Sequence, residues 1–390
     1  MRIRQRVFLT TSLSGPRARA ECGRPATRSA HFTFLSQNSP SDTADRPTSL
    51  WGPFLFAFLQ FRNYSQNPTP ELQNKEVSML VENLKSLVAQ LEREYGESPR
   101  FTMFPIRDEN PLSGHTKRRI VFAPNNSMLH LQREFLGHLR SPMHVNEQIR
   151  SQFLRYATAA LPKSSPLNNA LIHRENRFFY LVDFRHAYRS VLPSHVADTL
   201  IALDEKLASQ REELVAFLIQ YFFHKEHGLV TGGPASQDLF NLSVGSLLDG
   251  DIGDLCEEFG ITYTRYIDDL TFSSPNPIVA STRRKIRILA DQAGFIINHW
   301  KSDCVDLTKR PVVVTGIGIA EDGRIFVPRA YFRRVRGALN LAMRKGEVSS
   351  AKIQGMMSLF LYIAQFYKDN GLELNQTEKK LLNTYHSYQR

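Results

Sequence analysis

Apolar residues recur at helical spacing over 75–95, where Val77, Leu80, Val81, Leu84, Leu87, Val88 and Leu91 share one face and charges occupy the other. Gly96 ends that pattern. Residues 116–123 (TKRRIVFA) read as a basic strand, and 128–139 as a helix beginning near Asn126 or Ser127. Another helical stretch covers 150–161, broken by the prolines at 162 and 166. The run Phe178-Phe179-Tyr180-Leu181-Val182-Asp183-Phe184 is short, apolar and closed by a charge, which predicts a buried strand. One long amphipathic helix is predicted over 194–222, then a loop at 228–234 containing Gly and Pro, then a helix over 239–248. Two short strands, 261–266 and 270–273, bracket an acidic tip. Helical spacing returns at 278–293, β-like segments follow at 294–298, 312–319 and 324–327, and the end is helical over 328–344, 351–367 and about 377–388. Strands in the middle and helices at the end predict an α+β body with a helical C-terminal module.

The acidic tip carries the chemistry. Asp268 and Asp269 stand between Tyr266, Ile267, Leu270 and Phe272, although aspartate is a poor strand former. Turn chemistry alone accounts for such a pair. A second acidic strand end, Asp183, shifts the balance, because a lone charge closing the most apolar strand is costly. Carboxylates that converge repel one another unless cations lie between them. Oxygen-only ligation by Asp suits Mg²⁺, which keeps water and substrate phosphates as its other ligands. Two such ions can stabilise the attacking and leaving oxygens of an in-line phosphoryl transfer. Period two along a strand points Asp269 away from Asp268, in a supporting position.

RYIDD at 265–269 resembles the tyrosine-any-Asp-Asp signature of reverse transcriptases, and LVDFRHAYRSV from Leu181 resembles their preceding aspartate block. TKRRIVFAP at 116–124, followed by a helix containing Gln132, is similar to the family's fingers block. GLVTGGPASQDLFN at 228–241 resembles the glycine-rich block, AGFIINHWKSD at 293–303 the block ending in Asn and Lys, and VVVTGIGI with VPRAYFRRVRGAL the region after the palm in retron-type and bacterial defence-associated enzymes. Six blocks in family order cover about residues 100–370. Val230 and Gln237 stand where those enzymes usually have proline, and Ile267 replaces the common alanine or methionine, so the subfamily stays open.

The resemblance implies a right-hand polymerase fold: fingers and palm over 66–320, with an antiparallel sheet and helices, and a helical thumb over 321–390. It implies RNA-directed DNA synthesis with two Mg²⁺ ions, or Mn²⁺, from dNTPs on an RNA template and a DNA or RNA primer. A cognate non-coding RNA, an effector protein and a role in anti-phage defence are further expectations of the retron type. Asp183 and Asp268 would hold metal, with Asp269 and the Phe184 carbonyl supporting. Lys117, Arg119 and Lys301 resemble residues near the triphosphate, Gly232 lets backbone approach base or template, and Tyr188 resembles the aromatic that excludes a ribose 2′-hydroxyl. Arg329, Arg333 and Arg336 share a helix face by i, i+4, i+7 spacing, which suits tracking of a phosphate backbone. Alternative readings are an RNA-binding, maturase-like scaffold and a template-independent or protein-primed polymerase of the same fold.

Composition agrees with these readings. In 390 residues, 49 basic against 38 acidic side chains give +11, which favours a polyanion partner. Eight Arg, no Lys and only Glu21, Asp42 and Asp45 as acids mark the first fifty residues. Thirteen Ser or Thr and four Pro add to a composition that supports no core. Residues 1–65 therefore read as a disordered extension or an over-long start, in preference to an organellar transit peptide, and a bacterial cytoplasm is the expected compartment. Cys22, Cys256 and Cys304 are too dispersed for a disulfide scaffold or a zinc ribbon. The best apolar stretch, near 51–61, holds Gly52 and Pro53 and is too short to span a bilayer, so no membrane partner is expected. His224 and His227 in HKEH lack zinc-protease spacing, and neither a GxxxxGK phosphate loop nor a GxSxG nucleophile turn occurs.

Overall fold

The computed structural model describes residues 80–109, 116–346 and 348–389, and the expectation for residues 1–65 lies outside them. Helix α1 (Val81–Tyr95) buries Val81, Leu84, Val88 and Leu91, the stripe read from spacing. Gly96 closes it at φ 68°, donating its N–H to the Glu92 carbonyl. Strands β1 (Phe101–Glu109) and β2 (Thr116–Pro124) form an antiparallel ribbon in register from Phe101↔Pro124 to Glu109↔Thr116. Asn125 caps α2 (Asn126–Arg140) by accepting the Met128 N–H. Helices α3 (Glu147–Phe153) and α4 (Pro166–His173) lead into β3 (Phe178–Asp183) and the short α5 (Ala187–Ser190).

Helix α6 (Pro193–Leu203) and helix α7 (Arg211–Phe222) are separated by a 3₁₀ segment (Glu205–Gln210), so the single long helix expected over 194–222 is corrected to two. Asp204 leaves the helical region at φ −143° and its carboxylate accepts the Lys206 N–H, capping the next turn. Leu203 and Leu207 are both buried, which is why periodicity alone ran through the break. The tight β4 (Phe223–His224) and β5 (Gly228–Leu229) pair then precedes α8 (Ser236–Val244). That helix runs through a π-helical segment, Gly245–Asp249, into α9 (Gly250–Glu258), beyond the expected end at 248.

Strands β6 (Thr262–Tyr266) and β7 (Asp269–Ser274) form the acidic hairpin, followed by α10 (Ala280–Gln292) and β8 (Asp303–Asp306). These strands and β3 make one antiparallel sheet in the order β6-β7-β3-β8. The segment 294–298 forms only a bridge, Ile297 to Phe184, where a strand was expected. Strands β9 (Val312–Val314), β10 (Ile317–Ile319) and β11 (Ile325–Phe326) form a second sheet before helices α11 (Arg329–Lys345), α12 (Ser350–Asp369) and α13 (Gln376–Gln389).

Period two along β3 divides its side chains between two cores. Tyr180 and Val182 join Leu270, Phe272 and the helices from α1 to α10 other than α4, whose Leu167 and Ala170 lie in the second core. Phe179 joins Val305, Val314, Ile317 and the C-terminal helices, including Met357, Phe360 and Ile363. The outer side of β6 is covered at one point: Arg265 donates its N–H to the Tyr156 carbonyl at 2.7 Å and accepts the Thr158 N–H at 2.8 Å. The α+β architecture and the helical C-terminal end are as expected. Helix α4 was missed because Pro166 was read as a breaker, whereas it occupies the first helical turn with Ser165 as cap. The helical reading of 150–161 stops at Phe153, and Ala160 and Lys163 have φ values of 58° and 63°.

A polar layer lies under the sheet. His173 is fully buried, one ring nitrogen 2.7 Å from Ser273 Oγ and the other 2.7 Å from Thr264 Oγ1. Burial pushes its pKa down to about 3. The unfolded chain protonates this ring near pH 6.5 while the folded one does not, so stability must fall as pH drops from about 6.5 towards 3. The loss from this site reaches up to about 1.4 kcal/mol per pH unit. Denaturant titrations at pH 7 and pH 5 are expected to show a smaller drop in His173→Gln than in the wild type.

Candidate active site

Strand register brings the three aspartates together. Asp183 ends β3 and lies directly opposite Asp269, the first residue of β7. Between β6 and β7 the turn is only Ile267-Asp268, and the Phe184 N–H donates to the Asp268 carbonyl at 3.1 Å. The Phe184 ring stacks on Phe295 at 5.0 Å, anchoring the chain just past Asp183. Ile267 holds φ 58°, a left-handed conformation that β-branched residues avoid. Sequence reasoning placed Asp269 away from the other carboxylates; the structure corrects this. Asp268 belongs to the turn, so strand alternation does not relate it to Asp269, which lies in register with Asp183 and feels the charges of both other carboxylates.

The electrostatics are those of crowded like charges. Asp268 is held above the usual carboxylate range by burial first and by Asp183 second, against the opposing charges of Lys301 and Arg119. Asp269 is raised as well, by the crowding of protein around it first and then by Asp268 and Asp183, although the residue remains exposed to solvent on one side. Lys301 Nζ lies 2.6 Å from Asp183 Oδ2, and Asn298 Nδ2 donates to the same oxygen at 3.2 Å. The Asn298 N–H also donates to the Asp183 carbonyl at 2.7 Å. Among the described residues no three or more His, Cys, Asp or Glu side chains are grouped closely enough to hold a metal ion by themselves. The donors present are hard oxygens, those of Asp268 and Asp269 with raised proton affinity, and an ammonium already rests on Asp183. That set fits a divalent cation of the Mg²⁺ kind, which completes its shell with water or substrate.

The other expected residues surround this centre unevenly. Arg119 lies exposed on β2 and its charge reaches Asp268. Lys117 is two residues earlier on the same strand, but its side chain lies outside the described residues. Gly232 sits at φ 106° against β2, where a Cβ would come 2.6 Å from the Phe122 carbonyl, so no larger residue fits. The Tyr188 ring is half-buried and stacked on Phe240 at 4.6 Å, and its hydroxyl is pushed well up by burial and then by Asp268. It is therefore both a packing residue and a neighbour of the carboxylates. Arg329, Arg333 and Arg336 lie on the exposed face of α11, a different element, opposite the buried Tyr331, Val335 and Leu339.

Two groups of site residues were missed. Gln132, quoted only as part of a block, is fully buried, donates to the Tyr221 carbonyl at 3.3 Å and accepts the Ala235 N–H at 3.4 Å. It ties the glycine-rich loop to α2. Arg265 is also fully buried and engages Asp249, Asn241 and the Ile267 carbonyl. Its signal was present: a charge inside a strand of otherwise uncharged residues must have a partner.

An antiparallel sheet ending in three carboxylates, with cationic side chains beside them, makes a class of site whose hard oxygen donors suit a divalent cation. Within that class the chain is similar to the reverse transcriptases of retrons. It is 27% identical over 258 residues to the retron Mx65 reverse transcriptase of Myxococcus xanthus, covering 62% of this chain and 57% of that one. Over 252 residues it is 23% identical to the retron Ec83 enzyme of Escherichia coli, covering 62% and 76%. Over 291 residues it is 22% identical to the Ec86 enzyme of Escherichia coli, covering 74% and 83%. The chain thus spans a little over half of the Myxococcus relative. No family model matches the sequence. Among solved structures, telomerase from Candida albicans in complex with a fragment of telomeric RNA aligns with TM-score 0.41 at 10% identity, over 79% of this chain and 63% of that one. Apo telomerase from Candida tropicalis gives 0.42 at 10%, over 78% and 66%.

The raised proton affinity at Asp269 has a sign that can be read. An acid whose folded pKa lies above its unfolded one stabilises the protein when protonated, and that contribution is lost as pH rises through the folded value. Asp269→Asn is expected to raise the melting temperature at pH 8 and to change it less at pH 5, in scanning calorimetry without divalent ions.

Proposed function

We propose that the protein is an RNA-directed DNA polymerase of the retron type, which copies an RNA template onto a DNA or RNA primer from dNTPs. The observation that carries this reading is the register pairing of Asp183 with Asp269, with Asp268 in the adjoining two-residue turn. Asp183 and Asp268, with the Phe184 carbonyl and Asp269 in support, would hold two Mg²⁺ ions, or Mn²⁺. Such ions supply charge neutralisation at the attacking and leaving oxygens of phosphoryl transfer.

Lys301 holds Asp183 in place and is positioned to move to a triphosphate when a metal takes over that carboxylate. Arg119, with Lys117 on the same strand, would meet the same phosphates. Gly232 keeps the loop flat against β2, so that template or base can approach backbone closely. Tyr188 would fill the space that a 2′-hydroxyl needs. The face formed by Arg329, Arg333 and Arg336 would follow the phosphate backbone of the duplex. Residues 66–320 would serve as fingers and palm, and 321–390 as thumb. The retron relatives support a cognate non-coding RNA as partner, and a role with an effector in anti-phage defence in the bacterial cytoplasm completes the proposal. No helix among the described residues is long and apolar enough to cross a membrane.

Asp183→Asn and Asp268→Asn are each expected to abolish dNTP incorporation, a loss of several kcal/mol of transition-state stabilisation, while RNA binding survives. Primer extension and a filter-binding assay on the same preparations check both halves, and wild-type extension in either variant would refute the assignment.

Tyr188→Ala is expected to raise rNTP incorporation relative to dNTP by about tenfold or more, roughly 1.4 kcal/mol in selectivity. Because the ring also stacks on Phe240, the melting temperature should fall too. An unchanged rNTP/dNTP ratio in a folded variant would leave the ring with packing alone.

A further inference from the structure

The Asp268 turn is held from below by a charge that phosphoryl transfer itself does not require. Arg265 and Asp249 form a fully buried ion pair, Nε to Oδ1 at 3.0 Å and Nη2 to Oδ2 at 2.7 Å. The other guanidinium edge reaches further. Nη1 donates to Asn241 Oδ1 at 2.8 Å and to the Ile267 carbonyl at 3.1 Å, and Nη2 donates to the Asn241 carbonyl at 3.1 Å.

Each partner is itself fixed. Asn241 Nδ2 donates to the Ala159 carbonyl at 2.8 Å, so its oxygen cannot swing away from Arg265. The Tyr263 hydroxyl donates to Asp249 Oδ1 at 2.8 Å. Asp249 is the last residue of the π-helical segment, and such insertions recur at functional sites because they re-aim one side chain within a helix. A Cβ on Gly245, at the start of that segment, would run into the Phe153 carbonyl, so the helix is pressed close there.

The turn above this assembly has an energetic problem. A two-residue hairpin turn that needs positive φ normally takes glycine, whereas here the position is Ile267 at 58°. A strained residue of that kind persists only where its surroundings over-determine it. The one guanidinium hydrogen bond among the described residues that leaves the Asp249–Asn241 assembly goes to the carbonyl of this same residue. The peptide bond formed by that carbonyl leads directly into Asp268.

We propose that Arg265 is a positioning residue: fixed by Asp249 and Asn241, it holds the Ile267 carbonyl and so sets where the Asp268 carboxylate stands for cation binding. A lysine could keep the charge opposite Asp249, but a single ammonium cannot bridge acceptors on α8, the π-helical segment and the turn as a planar fork does. The role rests on the polymerase reading for its effect on catalysis, and on the carboxylate site alone for its effect on cation affinity.

The test measures Mn²⁺ binding by electron paramagnetic resonance, primer extension and thermal melting on the same preparations. Arg265→Lys is expected to lower both Mn²⁺ affinity and kcat by about tenfold or more while the protein still melts cooperatively. Adding Ile267→Gly, which accepts positive φ without strain, is expected to recover most of both losses. A purely structural role would leave that second substitution without restoring effect. Wild-type Mn²⁺ affinity in folded Arg265→Lys, or a loss that Ile267→Gly fails to recover, overturns the proposal. Should Arg265→Lys not fold, the combined Arg265→Met, Asp249→Leu and Tyr263→Phe variant takes its place, since apolar replacements of buried ion pairs are commonly tolerated. Unaltered Mn²⁺ binding in that variant overturns the proposal equally. A wild-type protein that binds Mn²⁺ but extends no primer would refute the polymerase reading, and the binding arm would still decide the role of Arg265.

Discussion

Three carboxylates gathered at one end of a sheet repel each other, and the surrounding structure is arranged around that repulsion. An isolated aspartate at a strand end would be solvated and unremarked. Here Asp183, Asp268 and Asp269 are close enough for two of them to be held above their ordinary proton affinity. Folding tolerates this because the backbone at each carboxylate is committed elsewhere: the Asp183 carbonyl to Asn298, the Asp268 carbonyl to Phe184, and Asp269 to its ladder partner on β3. Lys301 offsets part of the charge from outside. Crowded like charges of this kind lower stability, and a cation bound among them would stabilise the folded state by relieving that repulsion.

Contacts distant in sequence converge on that point. The glycine-rich loop is pinned to α2 by Gln132, and to β2 by the Thr231 carbonyl accepting the Phe122 N–H at 3.2 Å. The helix after the loop supplies Asn241 to Arg265, and that same helix provides the Phe240 ring on which Tyr188 stacks. One helix thus connects loop, aromatic and acidic turn. A substitution in α8 would disturb all three together, so its effects would not add to those of substitutions at the hairpin.

Much of this was legible before any coordinates. The apolar run ending at Asp183 and the Asp-Asp tip pointed to strand ends that the register does bring together, because buried strands and tight turns carry strong local signals. The helical stripe of α1 and the C-terminal helices were legible for the same reason. Failures came where local pattern and tertiary demand diverge. Leu203 and Leu207 satisfy a continuous helix as well as a broken one, and only Asp204 as a cap reveals the break. Pro166 can stop one helix or start another, and the choice depends on Ser165. The partner of Arg265 could not be named from sequence, since Asp249 faces it by way of a π-helical segment that no periodicity marks. Asp269 was misjudged because strand alternation was extended through a turn.

Strand β6, which carries Arg265, lies at the margin of its sheet, where backbone donors and acceptors can recruit a foreign strand. At Arg265 both outward-facing groups are taken by Tyr156 and Thr158 of a segment that makes no further ladder. That single clasp does the work of a whole additional strand. It occupies the sheet edge beside the acidic turn without extending the sheet, so a foreign strand meets no free backbone group at Arg265.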